Sequence, residues 1–336
     1  MRYGKIKNLV FSGGEFRGLA YIGIQKALEE LDILDNIENI LGVSVGSIFA
    51  LIICLGYTSQ QIEKIVMSID ITSLKDIDTD GIFKVFTKYG VDSGKNFEKL
   101  YKILIRKKIG KEDATFRDLK SIFPNKNLIV AGTNINLDRG EFFSYDTTPD
   151  MKLWEAIRIS TCFPLYFESY LYNNYIYADG GISNNYPIDY FQNSIENTLG
   201  IVLKHSDKNI YGLVEIDNFE KYIIALVKCI TQSTQNIMET QYKKYTITLE
   251  IPYSFLNLDI TNEAKETNIK EGYRQFLEQY KNLYSSDENV VNSKQISDIP
   301  LGTINEVIDD IQSIISTTSS NSNLLEDAVD DAMDVT

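Results

Sequence analysis

The stretch ENILGVSVGSIFALIICLG, residues 38–56, indicates the fold class, because it carries a strand, a tight turn and an apolar helix in succession. Residues 39–43 form a short apolar run typical of a buried strand, and residues 47–56 have the pattern of a helix closed by glycine. A similar unit precedes it, with a strand at 8–12 and a helix at 18–31. This alternation predicts a parallel sheet with helices on its faces.

The rest of the chain continues the pattern. Further strands are predicted at 128–133, 140–145, 172–179, 200–204 and 246–251, and further helices at 59–69, 94–108, 153–160, 218–245 and 261–284. The last two helices are long and amphipathic. We therefore predict an α/β fold with a doubly wound, mostly parallel sheet, followed by a helical C-terminal extension.

The composition excludes several classes of protein. The chain has 336 residues and is 43% hydrophobic, which is enough for a full core. Its net charge of −14 argues against nucleic acid as a partner, since phosphate binding relies on clustered lysine and arginine. Cys54, Cys162 and Cys229 are widely spaced, which favours a reducing compartment. With no signal peptide or transmembrane pattern, we expect a soluble cytoplasmic or other intracellular protein.

Ser44 is a candidate nucleophile. A serine hydroxyl is ordinarily a weak nucleophile, and hydrolases expose it on a sharp turn between strand and helix, where flanking glycines leave room for the substrate. Ser44 has Gly42 and Gly46 in these flanking positions. The N-terminal N–H groups of the following helix would favour negative charge near the serine. The pattern alone also suits a plain tight turn, so both interpretations stay open at this point.

Two residues are candidates for the base. His205 is the single histidine, and the order Ser44, an aspartate, His205 matches the α/β-hydrolases, which keeps a Ser-His-Asp esterase as an alternative. His205 nevertheless lies between an apolar strand and a polar stretch, where a surface role is commoner. Asp179 ends a predicted strand just before Gly180 and Gly181, and it is the better candidate, although Asp-Gly is also a common turn pair.

A glycine-rich loop lies between the first strand and the first helix. Its N–H groups could stabilise a phosphate or an oxyanion, and the candidate donors are Gly13, Gly14, Glu15, Phe16, Arg17 and Gly18, with Val45 as a possible addition. A dinucleotide site would need G-x-G-x-x-G, and a P-loop would need G-K-[ST]; the loop has neither. Oxyanion stabilisation is the role that remains for the loop. Three roles stay open for Arg17: it holds the loop, it faces a phosphate headgroup, or it forms a salt bridge at the start of the helix.

Together these motifs resemble the patatin-like phospholipase family. The resemblance rests on the loop ending in x-Arg-Gly, on G-x-S-x-G at 42–46 and on Asp-Gly-Gly at 179–181, and it extends over residues 7–204. Two supporting segments, 155–164 and 184–187, also match. The resemblance implies acyl ester hydrolysis of lipids by a Ser-Asp dyad, with Ser44 as nucleophile and Asp179 as base. One departure is Glu15, since the family usually has glycine there. A glutamate with positive φ would strain the turn, and its charge could repel phosphate or raise the pKa of Asp179.

These observations define a set of expectations. The patatin-like catalytic domain spans 7–204, the C-terminal helices and strand at 205–284 pack on the same domain, and 285–336 is a flexible polar and acidic tail, in which 304–315 has the pattern of an isolated helix. The partner is a phospholipid or another acyl-ester lipid, with transient contact to a membrane surface and no nucleic acid. No metal or cofactor is required. The alternative is a catalytically weak or inactive lipid-binding or regulatory protein with the same fold.

Overall fold

The computed structural model of the chain describes residues 6–77, 81–206, 216–252, 261–284 and 304–316. The strands are β1 (Asn8–Phe11), β2 (Asn39–Val43), β3 (Gly90–Asp92), β4 (Asn127–Asn134), β5 (Arg139–Ser144), β6 (Leu165–Phe167), β7 (Tyr170–Tyr172), β8 (Tyr175–Asp179), β9 (Thr198–His205) and β10 (Thr246–Ile251). The helices are α1 (Ala20–Glu30), α2 (Val45–Cys54), α3 (Ser59–Ser68), α4 (Gly81–Lys88), α5 (Lys95–Ile109), α6 (Phe116–Ile122), α7 (Leu153–Ser160), α8 (Gly181–Asn184), α9 (Phe219–Gln241) and α10 (Asn262–Tyr284). Residues 304–316 form a further helix, α11.

An eight-stranded sheet runs through the molecule in the order β10-β9-β1-β2-β4-β8-β7, with β5 also paired to β4. The neighbours from β10 to β4 are all parallel, whereas β5 and β8 run antiparallel to β4. A separate pair of short parallel strands joins β3 and β6. The predicted doubly wound, mostly parallel α/β fold is therefore confirmed.

Apart from polar residues near their ends, the strands of the sheet centre are apolar because both faces of the sheet are covered. In β1, Leu9 and Phe11 belong to one buried cluster and Val10 to another. Such continuous apolar runs are typical of parallel strands packed between two layers. α10 packs closely on α1, since a Cβ added to Gly23 would lie 2.0 Å from the Ile269 carbonyl oxygen. The C-terminal region thus contributes β10 to the sheet and α10 to the layer of helices that packs on it.

The main departures from the predicted elements are short or C-terminal. The sequence pattern did not predict β3, β6 and β7, which have three residues each. α11 is not isolated: Ile304, Val307, Ile308 and Ile311 are buried in the main core, and Asp310 pairs with Arg106 at 2.7 Å. The remainder of the predicted tail, 285–303 and 317–336, lies outside the described residues. Within the described ranges, no helix combines the length and apolar character needed to cross a bilayer.

Candidate active site

Ser44 occupies a strained turn between β2 and α2. Its φ of 52° and ψ of −127° lie outside the regions that non-glycine residues ordinarily adopt. Three hydrogen bonds hold this conformation: the Ser44 N–H donates to Ser160 Oγ at 2.9 Å, and the Ser47 N–H and Oγ donate to the Ser44 carbonyl at 2.8 and 2.6 Å. The surrounding structure therefore fixes the serine in a geometry that costs free energy.

Close backbone approach explains the glycines on either side of Ser44. A Cβ on Gly42 would lie 2.3 Å from the Gly46 carbonyl oxygen, and a Cβ on Gly46 would lie 2.6 Å from the carbonyl oxygens of Phe11 and Ser12. Neither glycine has positive φ, so the requirement is for space rather than for backbone freedom. The turn can pack against β1 only without these side chains.

The register of β4 brings Asp179 to Ser44. β2 and β8 pair with successive parts of β4 and approach each other from opposite directions: Val43, the last residue of β2, pairs with Ala131, and Asp179, the last residue of β8, pairs with Gly132. Ser44 follows Val43 directly. The two candidate residues therefore meet where the two strands end, although 135 positions separate them in the chain.

Asp179 is buried, and its carboxyl group is only partly satisfied. Oδ1 accepts a 2.8 Å hydrogen bond from the Gly181 N–H, whereas Oδ2 has no hydrogen-bond partner among the described residues. Burial raises the pKa of Asp179 to about 7; the nearby Ser44 hydroxyl and the Gly181 N–H oppose this shift, and the negative charge of Glu15 adds to it. The Ser44 hydroxyl is thus close to the carboxyl group without an aligned hydrogen bond to Oδ2. Hydrogen bonds between catalytic groups are often poorly aligned in free hydrolases.

Ser160, at the end of α7, connects the two candidates. Its Oγ accepts from the Ser44 N–H, and its carbonyl oxygen accepts from the Gly180 N–H at 3.3 Å. The side chain is completely buried. Ser160 belongs to one of the segments that supported the family resemblance, but nothing in the sequence marked it as a link between Ser44 and the Asp-Gly-Gly motif.

The glycine-rich loop packs against the serine turn. A Cβ on Gly13 would lie 3.3 Å from the Ser44 Cβ, and a Cβ on Gly18 would lie 2.2 Å from a Val45 methyl group. Phe16 also lines the cavity that contains Ser44. The predicted oxyanion loop and the predicted nucleophile are therefore neighbours.

The N–H groups of this loop are not all available. The Gly13 N–H donates to the Asn185 carbonyl at 3.2 Å, and the Arg17 N–H donates to the Gly14 carbonyl at 3.1 Å. The Arg17 side chain also donates to the Gly14 carbonyl, so this arginine holds the loop. None of the hydrogen bonds described for the chain uses the N–H of Gly14, Glu15 or Val45. These three N–H groups are candidate donors for a developing oxyanion.

α9 contacts the loop at two points that the sequence analysis missed. The Asn185 side chain lies against Gly13, and its Nδ2 donates to Oε1 of the buried Gln235 of α9 at 2.6 Å. Two helical turns earlier, Lys228 Nζ lies 3.2 Å from Glu15 Oε1, with 33% and 21% of the two side chains exposed. The sequence does distinguish Lys228 in one respect, since it is the only charged residue between Tyr222 and Met238.

Glu15 has the conformation that the sequence analysis treated as costly. Its φ is 53°, in the left-handed region that favours glycine. The ion pair with Lys228 and the 3-10 helix that begins at Glu15 accompany this conformation. The glutamate therefore replaces the usual family glycine with a strained residue that is tied to α9.

An apolar cavity opens beside Ser44. α2, α3, α5 and α9 all contribute to its wall, and its polar side chains are Glu15, Ser44, Thr161, Lys228 and two tyrosines. The remaining lining residues are apolar, namely Phe16, Leu19, Val45, Ile48, Phe49, Ile52, Ile62, Ile65, Val66, Ile69, Ile71, Leu74, Phe97, Leu100, Leu104, Phe163, Phe167 and Ile224. A cavity of this composition suits a hydrocarbon chain whose reacting end lies at Ser44.

The other candidate groups lie elsewhere. His205 is exposed at the end of β9, its Nδ1 lies 3.1 Å from the Ser206 carbonyl oxygen, and it does not line the cavity around Ser44. Cys54 and Cys162 are buried and Cys229 is exposed, all as free thiols. In the part of the chain that the structure describes, no cluster of three or more His, Cys, Asp or Glu residues could hold a metal ion.

Comparison with known proteins points in the same direction. The model of a family described as patatin-like phospholipase matches residues 9–191. Uncharacterised protein R571 of Acanthamoeba polyphaga mimivirus is 32% identical over 273 residues, which cover 80% of this chain and 89% of that protein. Probable lipid hydrolase 463L of Invertebrate iridescent virus 6 is 30% identical over 267 residues, which cover 78% and 80%.

A solved structure has a similar fold. VipD from Legionella pneumophila matches with a TM-score of 0.59 and 19% sequence identity, and the match covers 98% of this chain and 77% of that one. At this identity the similarity concerns the fold alone.

Proposed function

The chain belongs to the patatin-like phospholipase family, and we propose that it hydrolyses acyl esters of lipids with Ser44 as nucleophile and Asp179 as base. Membership in the family, together with a relative named as a probable lipid hydrolase, supports a lipid hydrolase as the general activity. One observation carries the finer assignment: a serine held in a strained turn adjoins a buried carboxyl group with an unpartnered oxygen at the edge of an apolar cavity.

The reaction begins with the acyl chain in the apolar cavity and its ester carbonyl at Ser44. Asp179 Oδ2 accepts the Ser44 proton as Oγ attacks the carbonyl carbon. The N–H groups of Gly14, Glu15 and Val45 stabilise the negative charge that develops on the carbonyl oxygen. The tetrahedral intermediate then collapses, and Asp179 returns its proton to the departing alcohol. An acyl-serine remains.

Water completes the cycle. Asp179 accepts a proton from a water molecule, which attacks the acyl-serine, and the proton passes to Ser44 Oγ as the fatty acid leaves. The pKa of about 7 suits this double role, because a base that titrates near neutral pH can both accept and return a proton. Each step of the scheme uses side chains and backbone N–H groups of this chain.

Labelling with a fluorophosphonate probe and turnover of a fluorogenic acyl ester test the assignment together. We expect Ser44→Ala to abolish both signals and the exposed control Ser68→Ala to leave both unchanged. Turnover by Ser44→Ala at the wild-type rate would show that another residue is the nucleophile. Mass spectrometry of products from mixed phospholipids would then identify the ester bond that is cleaved.

Two alternatives predict different outcomes. A Ser-His-Asp esterase would lose activity in His205→Ala, whereas the Ser-Asp scheme expects nearly unchanged turnover, because His205 lies outside the cavity. A lipid-binding protein without catalysis is favoured by the strained Glu15 and its ion pair with Lys228. That protein would bind lipid stoichiometrically and would give no acyl-serine or probe adduct.

A further inference from the structure

α9 presents an apolar stripe to solvent. Phe219, Tyr222, Leu226, Ile230 and Ile237 are 75%, 49%, 42%, 50% and 57% exposed. At about 100° per residue, these five positions fall within a sector of about 80° on one side of the helix. Single exposed apolar residues are ordinary on protein surfaces, but five large apolar side chains on one side of a helix, interrupted in that sector by Ser233, indicate an interaction surface.

The opposite side of α9 faces the candidate active site. Ile224 and Lys228 line the cavity that contains Ser44, and Gln235 contacts Asn185. By the same helical geometry, these three residues lie about 180° from the middle of the stripe. α9 therefore separates the acyl cavity from an exposed apolar surface of similar character.

We propose that this stripe docks the protein on the surface of a lipid bilayer and holds α9 in the interface. The proposal rests on the proposed function, since a lipid hydrolase must take its substrate from such a surface. Docking through the stripe places α9 between the bilayer surface and the acyl cavity, so the cavity lies about 10 Å, one helix diameter, from the interface.

The charge distribution indicates the kind of surface. Between Tyr222 and Met238 the sequence has one charged residue, Lys228, and this residue faces the cavity and pairs with Glu15. The chain as a whole has a net charge of −14. Attraction to anionic lipid is therefore absent from the stripe and opposed elsewhere. A neutral, zwitterionic surface fits best, and burial of apolar area drives the binding.

Cys229 provides a reporter for this surface. It is exposed, it lies beside Leu226 and Ile230 in the helix, and the other two cysteines are buried. A solvent-sensitive fluorophore on Cys229 would show a blue shift on entering the interface. Ser44→Ala as the background prevents hydrolysis of the vesicles, so binding is measured apart from turnover.

The test titrates the labelled Ser44→Ala protein with phosphatidylcholine vesicles at about 0.1 M and about 0.5 M salt. We expect a blue shift with the same midpoint at both salt concentrations. Leu226→Ser combined with Ile230→Ser should weaken vesicle binding by about tenfold or more, because both lost side chains are apolar and exposed. The matched control, Gln232→Ser with Asn236→Ser, changes two exposed polar residues of the same helix and should bind as the background does.

Several results would overturn the proposal. One is the absence of a blue shift when the stripe residues are intact. The others are equal vesicle binding by the two double variants, and vesicle binding that is abolished at high salt. A concentration-dependent dimer that the Leu226→Ser, Ile230→Ser pair dissociates would assign the stripe to a second copy of the chain instead. Turnover of a dissolved short-chain ester separates this proposal from the catalytic one: with Ser44 intact, both double variants should retain the wild-type rate, since the stripe does not contact the dyad.

Discussion

Replacing Asp179 by asparagine should stabilise the folded protein far more at pH 8 than at pH 5. Burial raises the pKa of Asp179 from 3.8 to about 7, which means that the folded state resists the charge that the unfolded state carries freely. The shift of about 3 pH units corresponds to about 4 kcal/mol of lost stability once the carboxyl group is ionised in both states. Asparagine keeps an oxygen for the Gly181 N–H and has no charge to bury.

The direction follows from proton uptake. Because the pKa is higher in the folded state, folding takes up a proton between pH 3.8 and about 7. The contribution of Asp179 to the free energy of unfolding is therefore fully present below pH 3.8. It falls as the pH rises from 3.8 to about 7, and it is lost above about 7. Removing the charge by Asp179→Asn should therefore raise the free energy of unfolding by about 4 kcal/mol at pH 8 and by about 1.5 kcal/mol at pH 5. The difference between the two pH values is about 2.5 kcal/mol.

Urea unfolding of wild type and Asp179→Asn at both pH values measures this difference. The comparison between two pH values cancels effects of the substitution that do not depend on charge, such as altered packing. Asp35→Asn, which changes an exposed carboxylate, is the matched control and should give a difference near zero. An equal effect of Asp179→Asn at the two pH values would refute the reasoning, because it would mean that the carboxyl group is not held in an environment that resists its charge.

Three further results are expected. In wild type, kcat/KM for a dissolved ester should fall about tenfold per pH unit below about 7 as Asp179 is protonated. Glu15→Gln should move this acidic limb of the pH profile to lower pH, because the variant removes a negative charge near Asp179. An acidic limb that does not move would contradict the role of Glu15. Gln235→Ala removes the acceptor for Asn185 and should lower kcat with little change in KM, while urea unfolding should show a loss of about 1–2 kcal/mol; unchanged kcat would mean that the loop needs no support from α9. Leu100→Trp fills part of the cavity and should lower kcat/KM for long-chain esters while short-chain esters are hydrolysed as before; an equal loss for both would place the acyl chain elsewhere.

The centre of the fold was predictable because its signals are local. Residues 40–43 are an uninterrupted apolar run, and the structure makes residues 39–43 strand β2. α7 and β10 begin and end at the predicted residues, Leu153–Ser160 and Thr246–Ile251, since a clear change of pattern bounds each. The three-residue strands β3, β6 and β7 are too short to show a periodicity, and long-range pairing alone defines them.

The candidate site was predictable as a set of parts but not as an assembly. Glycines identified the turn at Ser44 and the end of β8 at Asp179, because close packing of the backbone requires them locally. That these ends meet depends on the adjacent positions Ala131 and Gly132 of β4, which carry no chemical signal. Likewise, no signal in the sequence marked Ser160, because its contacts depend on where the end of α7 lies in the fold. Sequence patterns report what each segment needs, and the register between segments determines what it touches.

α9 extends this argument beyond the residues that the family model matches, which end at 191. The helix contributes Ile224 and Lys228 to the cavity, pairs Lys228 with Glu15, and holds Asn185 through Gln235. Glu15 is costly as an isolated substitution, because its φ is positive and its charge raises the pKa of Asp179. Because Glu15 pairs with Lys228, this cost depends on the loop and α9 being in place together. Any movement of α9 would therefore change both the electrostatics of Asp179, through Lys228 and Glu15, and the support of the loop, through Gln235 and Asn185.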